Sequence, residues 1–230
     1  MIRMRASLIL FDLDDTLYPR HAGVMDQIRD RMLVYLRNRL NLSLDEADAL
    51  RRRYFQTYGT TMRGLQINYQ IDTEEYLDYV HNIPLHDYLT ANPRLDSVLA
   101  SIPESKVVFT NSSREHATRV LDLLAIRHHF DRIIDVRDVG YESKPQPAAY
   151  QLACDLLGVL PQECVMVDDN TRNLQPAKAL GMTTVLILDG IAPSSGSTDT
   201  SVDHVISCIE EIAQVMDDIH EQSIASGSGS

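Results

Sequence analysis

Two carboxylates stand two residues apart in Phe11-Asp12-Leu13-Asp14-Asp15-Thr16-Leu17, directly after an apolar run. Side chains so placed repel each other unless a cation lies between them. A hard dication such as Mg2+ meets that need, because it takes oxygen ligands and leaves coordination positions for phosphate. One carboxylate can then attack phosphorus while the other moves protons. Taken alone, the same pattern equally describes a turn whose aspartates cap the next helix.

Three further segments change that balance. Val108-Phe109-Thr110-Asn111-Ser112 runs from apolar to hydroxyl-rich, and Ser112 with Glu115 reads as a capping box that gathers N–H groups where an anion can sit. Glu142-Ser143-Lys144-Pro145-Gln146-Pro147 delivers one lysine between two stiffening prolines. An isolated lysine is usually just solvated, but here it is a point charge able to keep a nucleophile ionised and to neutralise a phosphoryl oxygen. Val165-Met166-Val167 ends in Asp168-Asp169-Asn170, acidic again and suited to complete a metal site.

Each of these segments follows a short β-rich run, and stretches of helical periodicity separate the runs at residues 107–110, 133–136, 165–168 and 183–188. Strand alternating with helix implies an α/β fold, a Rossmann-like parallel sheet whose carboxyl ends carry the site. Residues 8–11 must join that sheet, since a lone strand would leave its backbone groups unpaired. Between them lies a different pattern: Met25, Ile28, Met32, Leu36 and Leu40 repeat at helical spacing, as do Leu44, Ala47, Leu50, Tyr54 and Tyr58. Ser43 and Glu46 form a capping box for the second helix, and another helix follows Asp72. The predicted organisation is a discontinuous core, residues 1–17 and 93–222, an all-helical insertion at 18–92 and a flexible tail at 223–230. Residues 193–197 read as a linker, and Ser207 as the cap of a last helix.

Composition narrows the partners. With 33 acidic against 21 basic residues the net charge is -12, which disfavours a nucleic-acid partner but leaves room for a small phosphorylated metabolite held by a few local cations. Three cysteines with no C-x-x-C pair suggest neither a disulfide framework nor structural zinc, so a reducing, cytoplasmic setting is expected. The apolar run near the N-terminus is too short for a signal-peptide core, and no stretch approaches the ~20 residues of a membrane span.

Taken in order, the four segments resemble those of the haloacid dehalogenase superfamily of hydrolases. That resemblance implies that Asp12 is the nucleophile and Asp14 the general acid and base. It makes Thr110 and the Asn111 amide phosphate binders, Lys144 the stabilising cation, and Asp168 and Asp169 the acidic metal motif. The cofactor would be Mg2+, bound by Asp12, by the Asp14 backbone oxygen and by Asp169 ahead of Asp168. Many members carry an acid where this chain has Asn173, which therefore receives no ligand role. The insertion corresponds to a cap that chooses the substrate. Leu17-Tyr18-Pro19 and Arg63-Gly64-Leu65 resemble the pyrimidine 5'-nucleotidase branch, and Arg63 and Tyr69 become candidate cap contacts for a nucleoside 5'-monophosphate.

Packing between cap helices explains most of the cap tyrosines equally well. Competing functions are a haloacid dehalogenase, which has no use for Asp14, a sugar-phosphate phosphatase or mutase, and a non-catalytic binding module on the same fold. His81, His86 and the pair His128-His129 lack metal-ligand spacing, and Arg51-Arg52-Arg53 reads as a solvated run.

Overall fold

The computed structural model describes residues 6–190 and 200–227, with side chains through residue 222. The linker read at 193–197 lies outside the described residues. Six strands form one sheet: β1 (Leu8–Phe11), β2 (Ser105–Phe109), β3 (Arg132–Ile134), β4 (Cys164–Asp168), β5 (Thr183–Ile187) and β6 (His204–Ile206). All pairings are parallel, in the order β3-β2-β1-β4-β5-β6.

β1 lies at the centre with every residue buried, which is why it reads as a continuous apolar run and not as an alternation. Its pleat still divides the core. Ile9 and Phe11 pack with Val108, Val165 and Val167 on one face, while Leu8 and Leu10 pack with Val107, Met166 and Leu174 on the other. Each fully buried side chain of this kind contributes about 1.5–3 kcal/mol. The strand order reverses between β1 and β4, and in open α/β sheets the crevice at such a reversal is where ligands bind.

Four helices fill the insertion: α1 (Val24–Leu40), α2 (Leu44–Tyr58), α3 (Thr61–Tyr69) and α4 (Thr73–His81). The capping box at Ser43 and Glu46 is formed, and Asp72 caps α4 by accepting from the Glu74 and Glu75 amides. Helix α3 has no counterpart in the sequence reading, because nine residues around a glycine give little periodic signal. Packing explains it: a Cβ on Gly64 would lie 2.3 Å from the Tyr54 ring, so the glycine lets α3 press against α2. Among the described residues no helix is long and apolar enough to cross a membrane.

The core helices are α5 (Pro93–Ser101), α6 (Arg114–Leu123), α7 (Pro147–Leu157), α8 (Thr171–Ala179) and α9 (Ile212–Gly227). Three expectations need correction here. Ser207 does not cap α9 with its side chain; its amide donates to Glu211, and a short 3-10 turn, Ile209–Glu211, precedes the helix. Helix α9 continues to Gly227, through part of the segment read as a tail. The cap of α6 is Ser113, which accepts from the His116 amide, and not Ser112. That shift of one residue frees Ser112 for the site.

Candidate active site

Asp12 stands one residue beyond β1, its amide still bonded to the Val167 carbonyl of β4. Its carboxylate accepts from Lys144 Nζ at 2.7 Å and from the Thr16 hydroxyl at 3.3 Å. Lys144 is 1% exposed and also donates to Asp168 at 2.9 Å. Burial works against an ammonium, but the facing Asp12 and Asp168 carboxylates hold the Lys144 pKa above its ordinary value. This lysine is a charged, immobilised group.

The loop that carries Lys144 is held from two sides. Asn111, just past β2, clamps its backbone: the Lys144 amide donates to Asn111 Oδ1 at 2.8 Å, and Asn111 Nδ2 donates to the Lys144 carbonyl at 3.0 Å. From the cap, Gly59 reaches the same peptide. Its φ of 89° suits glycine, and a Cβ there would sit 2.6 Å from the Lys144 carbonyl oxygen. Thr60 and Ser143 add a hydroxyl–hydroxyl contact of 3.1 Å.

Asp168 is fully buried and saturated with donors, taking Lys144 Nζ, the Asn170 amide and both bonds from Asn173 Nδ2. Asn173 therefore holds Asp168, a role the sequence reading did not give it. Asp169 is more open and pairs with Arg20 at 2.5 Å, and Arg20 also lies 3.6 Å from Asp15. Asp12, Asp168 and Asp169 can bring carboxylate oxygens within 4.8 Å of one another. Three acids share two cations, Lys144 and Arg20. Burial pushes Asp12 well up against the pull of Lys144, with Asp168 and Asp169 adding to the rise, and burial together with Asp168 lifts Asp169 to about 7. An all-oxygen cluster with unbalanced negative charge fits a hard divalent cation. Since Asp168 has its lone pairs occupied, Asp12 and Asp169 are the side chains with capacity left for it.

Asp14 faces the same cavity but is held by a separate set of donors. Tyr18 Oη donates to it at 2.6 Å, Ser112 Oγ donates at 2.7 Å, and His116 Nε2 stands 2.8 Å away. Burial alone would raise its pKa, but the facing His116 and these hydrogen bonds hold it well below the usual carboxylate range. Thr110 is buried beside it, its hydroxyl oxygen accepting from the Ser112 amide at 3.0 Å. No sequence pattern marked His116 or Tyr18 Oη as neighbours of Asp14. They come from the first turn of α6 and from the segment leading to the cap.

The cap closes over these strand ends and leaves a cavity of about 1120 Å3. Core groups in its wall include Asp12, Asp14, Thr110, Ser112 and Asp169, while Met25, Ile28, Met32, Phe55, Tyr76, Leu77, Val80 and Arg51 face it from the cap. The two cap residues expected at the substrate are elsewhere. Arg63 pairs with Glu142 at 2.6 Å and Gln66 at 2.7 Å, tying the cap to the lysine loop, and Tyr69 is 47% exposed at the end of α3. Neither lines the cavity. Their clustering in sequence reflected helix surface, because side chains on a nine-residue helix point to every side. Arg51, read as part of a solvated run, does line it while bonded to Asp48. Of the cap tyrosines only Tyr76 faces the cavity; Tyr76 and Tyr79 pack on Tyr35, and Tyr54 packs on Tyr58.

The family model of haloacid dehalogenase-like hydrolases matches residues 6–181. Phosphate metabolism protein 8 of Saccharomyces cerevisiae is 29% identical over 199 residues, 79% of this chain and 61% of that protein, so the chain spans about three-fifths of that relative's length. Glyceraldehyde 3-phosphate phosphatase of Methanopyrus kandleri is 27% identical over 196 residues, 79% of this chain and 84% of that one. Among solved structures, a HAD phosphatase from Thermococcus onnurineus covers 93% of this chain and 98% of its own, with a TM-score of 0.59 and 23% identity. Dehalogenases share the fold as well, so the fold does not choose between the two chemistries. With the family model covering most of the chain, the chain belongs to the haloacid dehalogenase-like hydrolases.

Proposed function

We propose that this protein hydrolyses phosphate monoesters through an aspartyl-phosphate on Asp12, and that nucleoside 5'-monophosphates, pyrimidine ahead of purine, are its preferred substrates. The observation that carries the phosphatase reading is Asp14. A carboxylate that lines the cavity two residues after the nucleophile, set by three donors, has a task in phosphoryl transfer and none in displacing a halide. Relatives whose names specify phosphatases support the same chemistry.

Asp12 attacks phosphorus and the P–O bond to the leaving group breaks, while Asp14, a carboxylate in the free site, takes up a proton from solvent as the ester binds and delivers it to the departing oxygen. In the second half Asp14 takes a proton from water, whose oxygen attacks the phosphorus of the aspartyl-phosphate and releases inorganic phosphate. The proton gained there returns to solvent as phosphate leaves and Asp14 becomes a carboxylate again. Lys144, hydrogen-bonded to Asp12, opposes the rise that burial and the neighbouring acids impose on that carboxyl and, with the Thr110 hydroxyl, offsets charge on the phosphoryl oxygens. Asp12 and Asp169, with the Asp14 backbone oxygen, would hold Mg2+, which would add electrostatic stabilisation of those oxygens.

The nucleotide preference rests on the cavity. Its volume exceeds what a three-carbon sugar phosphate fills, and its cap wall offers Phe55 and Tyr76 beside apolar side chains that can cover a base. Inorganic phosphate release from uridine and adenosine 5'-monophosphates, small sugar phosphates and an aryl phosphate, with Mg2+ present, tests the proposal. The uridine ester should have the highest kcat/KM of the natural esters. A clear preference for a sugar phosphate would overturn the nucleotide assignment alone. Retention of phosphate on an isomerised sugar would identify a mutase, and halide release from a 2-haloacid with no phosphate release would sink the phosphatase reading.

A further inference from the structure

The His116 imidazole is wholly enclosed, and what encloses it is informative. One edge presents Nε2 to Asp14 Oδ1 at 2.8 Å. The other ring nitrogen, Nδ1, is buried and has no protein hydrogen-bond partner among the described residues. One face is covered by His81 of the cap, the rings stacked at 4.5 Å and 19°. His81 is in turn fastened to α6, because its Nδ1 meets the Ser113 hydroxyl at 3.1 Å and its carbonyl accepts from Arg119 at 3.1 Å. Arg119 also donates to the Ile83 carbonyl at 2.6 Å, so the end of α4 is tied to the helix that carries His116.

An unpaired buried nitrogen is costly, and an aliphatic side chain would fill this space without that cost. Packing therefore does not account for a histidine here. Among the described residues the ring's one hydrogen bond is with Asp14, and since Asp14 Oδ1 as a carboxylate can only accept, Nε2 carries the donated hydrogen.

We infer that His116 is a positioning residue for Asp14: its Nε2–H sets the carboxylate's place at the cavity wall, and stacked His81 makes that place depend on the cap being seated. This deepens the phosphatase reading and rests on it. Proton transfer tolerates little misplacement, and an error of about 1 Å can cost about a hundredfold in rate. The effect must depend on the leaving group. An alkoxide departing from a nucleotide needs the proton, whereas an activated phenolate leaves with little help.

Three substitutions separate positioning from packing. His116→Gln puts an N–H donor near the place of Nε2, His116→Asn puts one too short to reach Asp14, and His116→Leu removes it. For the wild type and each variant, with Mg2+ present, kcat and KM are measured on p-nitrophenyl phosphate and on the best nucleoside 5'-monophosphate, alongside a melting curve. The expected result is a kcat loss of about tenfold to a hundredfold on the nucleotide for Asn and Leu, with less than about fivefold on the aryl ester, KM changing little, and Gln recovering most of the difference. In an Asp14→Asn background, His116→Leu should add no further loss on the nucleotide. Equal losses on both esters, or Asn and Gln behaving alike, would overturn the inference while leaving the phosphatase reading intact. If none of the three variants folds, His116 is structural and the inference fails. A wild type inert on both esters would defeat the phosphatase reading and this inference together.

Discussion

The strand ends of the core and the inner wall of the cap face one cavity, yet they are held in place by different forces. On the core side directional bonds hold the polar groups: Lys144 to two carboxylates and Asp168 to three donor groups. Directional bonds in a buried setting leave these groups a single arrangement. On the cap side the wall mixes methionine, isoleucine, leucine and valine, one phenylalanine and one tyrosine with Arg29, Arg51, Thr60, Thr61 and His81, and its apolar part is held by non-directional packing. Methionine in particular adapts to irregular shapes. The difference suggests a division of labour, with chemistry set rigidly by the core and leaving-group fit adjusted by the cap.

The largest effect expected from breaking this contrast is at Asp12. Asp12→Asn should reduce turnover of every ester by about a thousandfold or more, because a carboxamide is a poor nucleophile. The melting temperature should move little, since Lys144 keeps Asp168 as a partner. Comparable losses on aryl and nucleotide substrates would place the defect in the core chemistry, and near-native turnover would remove Asp12 from its role.

Cation binding comes next. Excess chelator should abolish phosphate release and added Mg2+ should restore it. Because Asp169 is lifted to about 7 without a dication, protons compete with the metal, and Mg2+ affinity should fall as pH drops below about 7 and level off above it. Calorimetry in two buffers of different ionisation enthalpy should register protons released on Mg2+ binding near neutral pH. Binding with no proton release would contradict the buried, charge-crowded picture of that carboxylate.

Two cap substitutions sharpen the other half. Gly64→Ala drives a Cβ into the Tyr54 ring, an overpacking cost of about 1–3 kcal/mol that the better helix propensity of alanine offsets by about 1 kcal/mol. A modest fall in melting temperature is expected, with KM for nucleotides rising more than kcat falls. Arg63→Ala should be the mildest, at about 0.2–1 kcal/mol for a partly exposed ion pair with Glu142. Nucleotide and aryl phosphate turnover should shift together, because Arg63 does not line the cavity. A loss selective for nucleotides would restore Arg63 to the substrate site.

Much of the core was legible in the order of residues. Buried parallel strands announce themselves as short apolar runs, so the polar segments that carry Asp12, Thr110, Lys144, Asp168 and Asp169 stood out as candidates, and the family resemblance supplied the roles expected of them. Other features depend on contacts between distant segments. Ser112 and His116 meet Asp14 across 98 and 102 residues, and Asn111 meets Lys144 across 33. Periodicity marks which side of a helix is apolar but not which neighbour or cavity that side meets. For that reason Arg63 and Tyr69 read as substrate contacts when one is a cap-to-core tie and the other is half exposed, and Arg51 read as solvated when it borders the cavity. The sequence by itself determined the class of fold and the kinds of atoms at the strand ends, because both follow from short-range order. Only the tertiary structure decided which donors hold Asp14, which acid is left open for a cation and which cap side chains face the substrate, because each depends on packing between segments far apart in the chain.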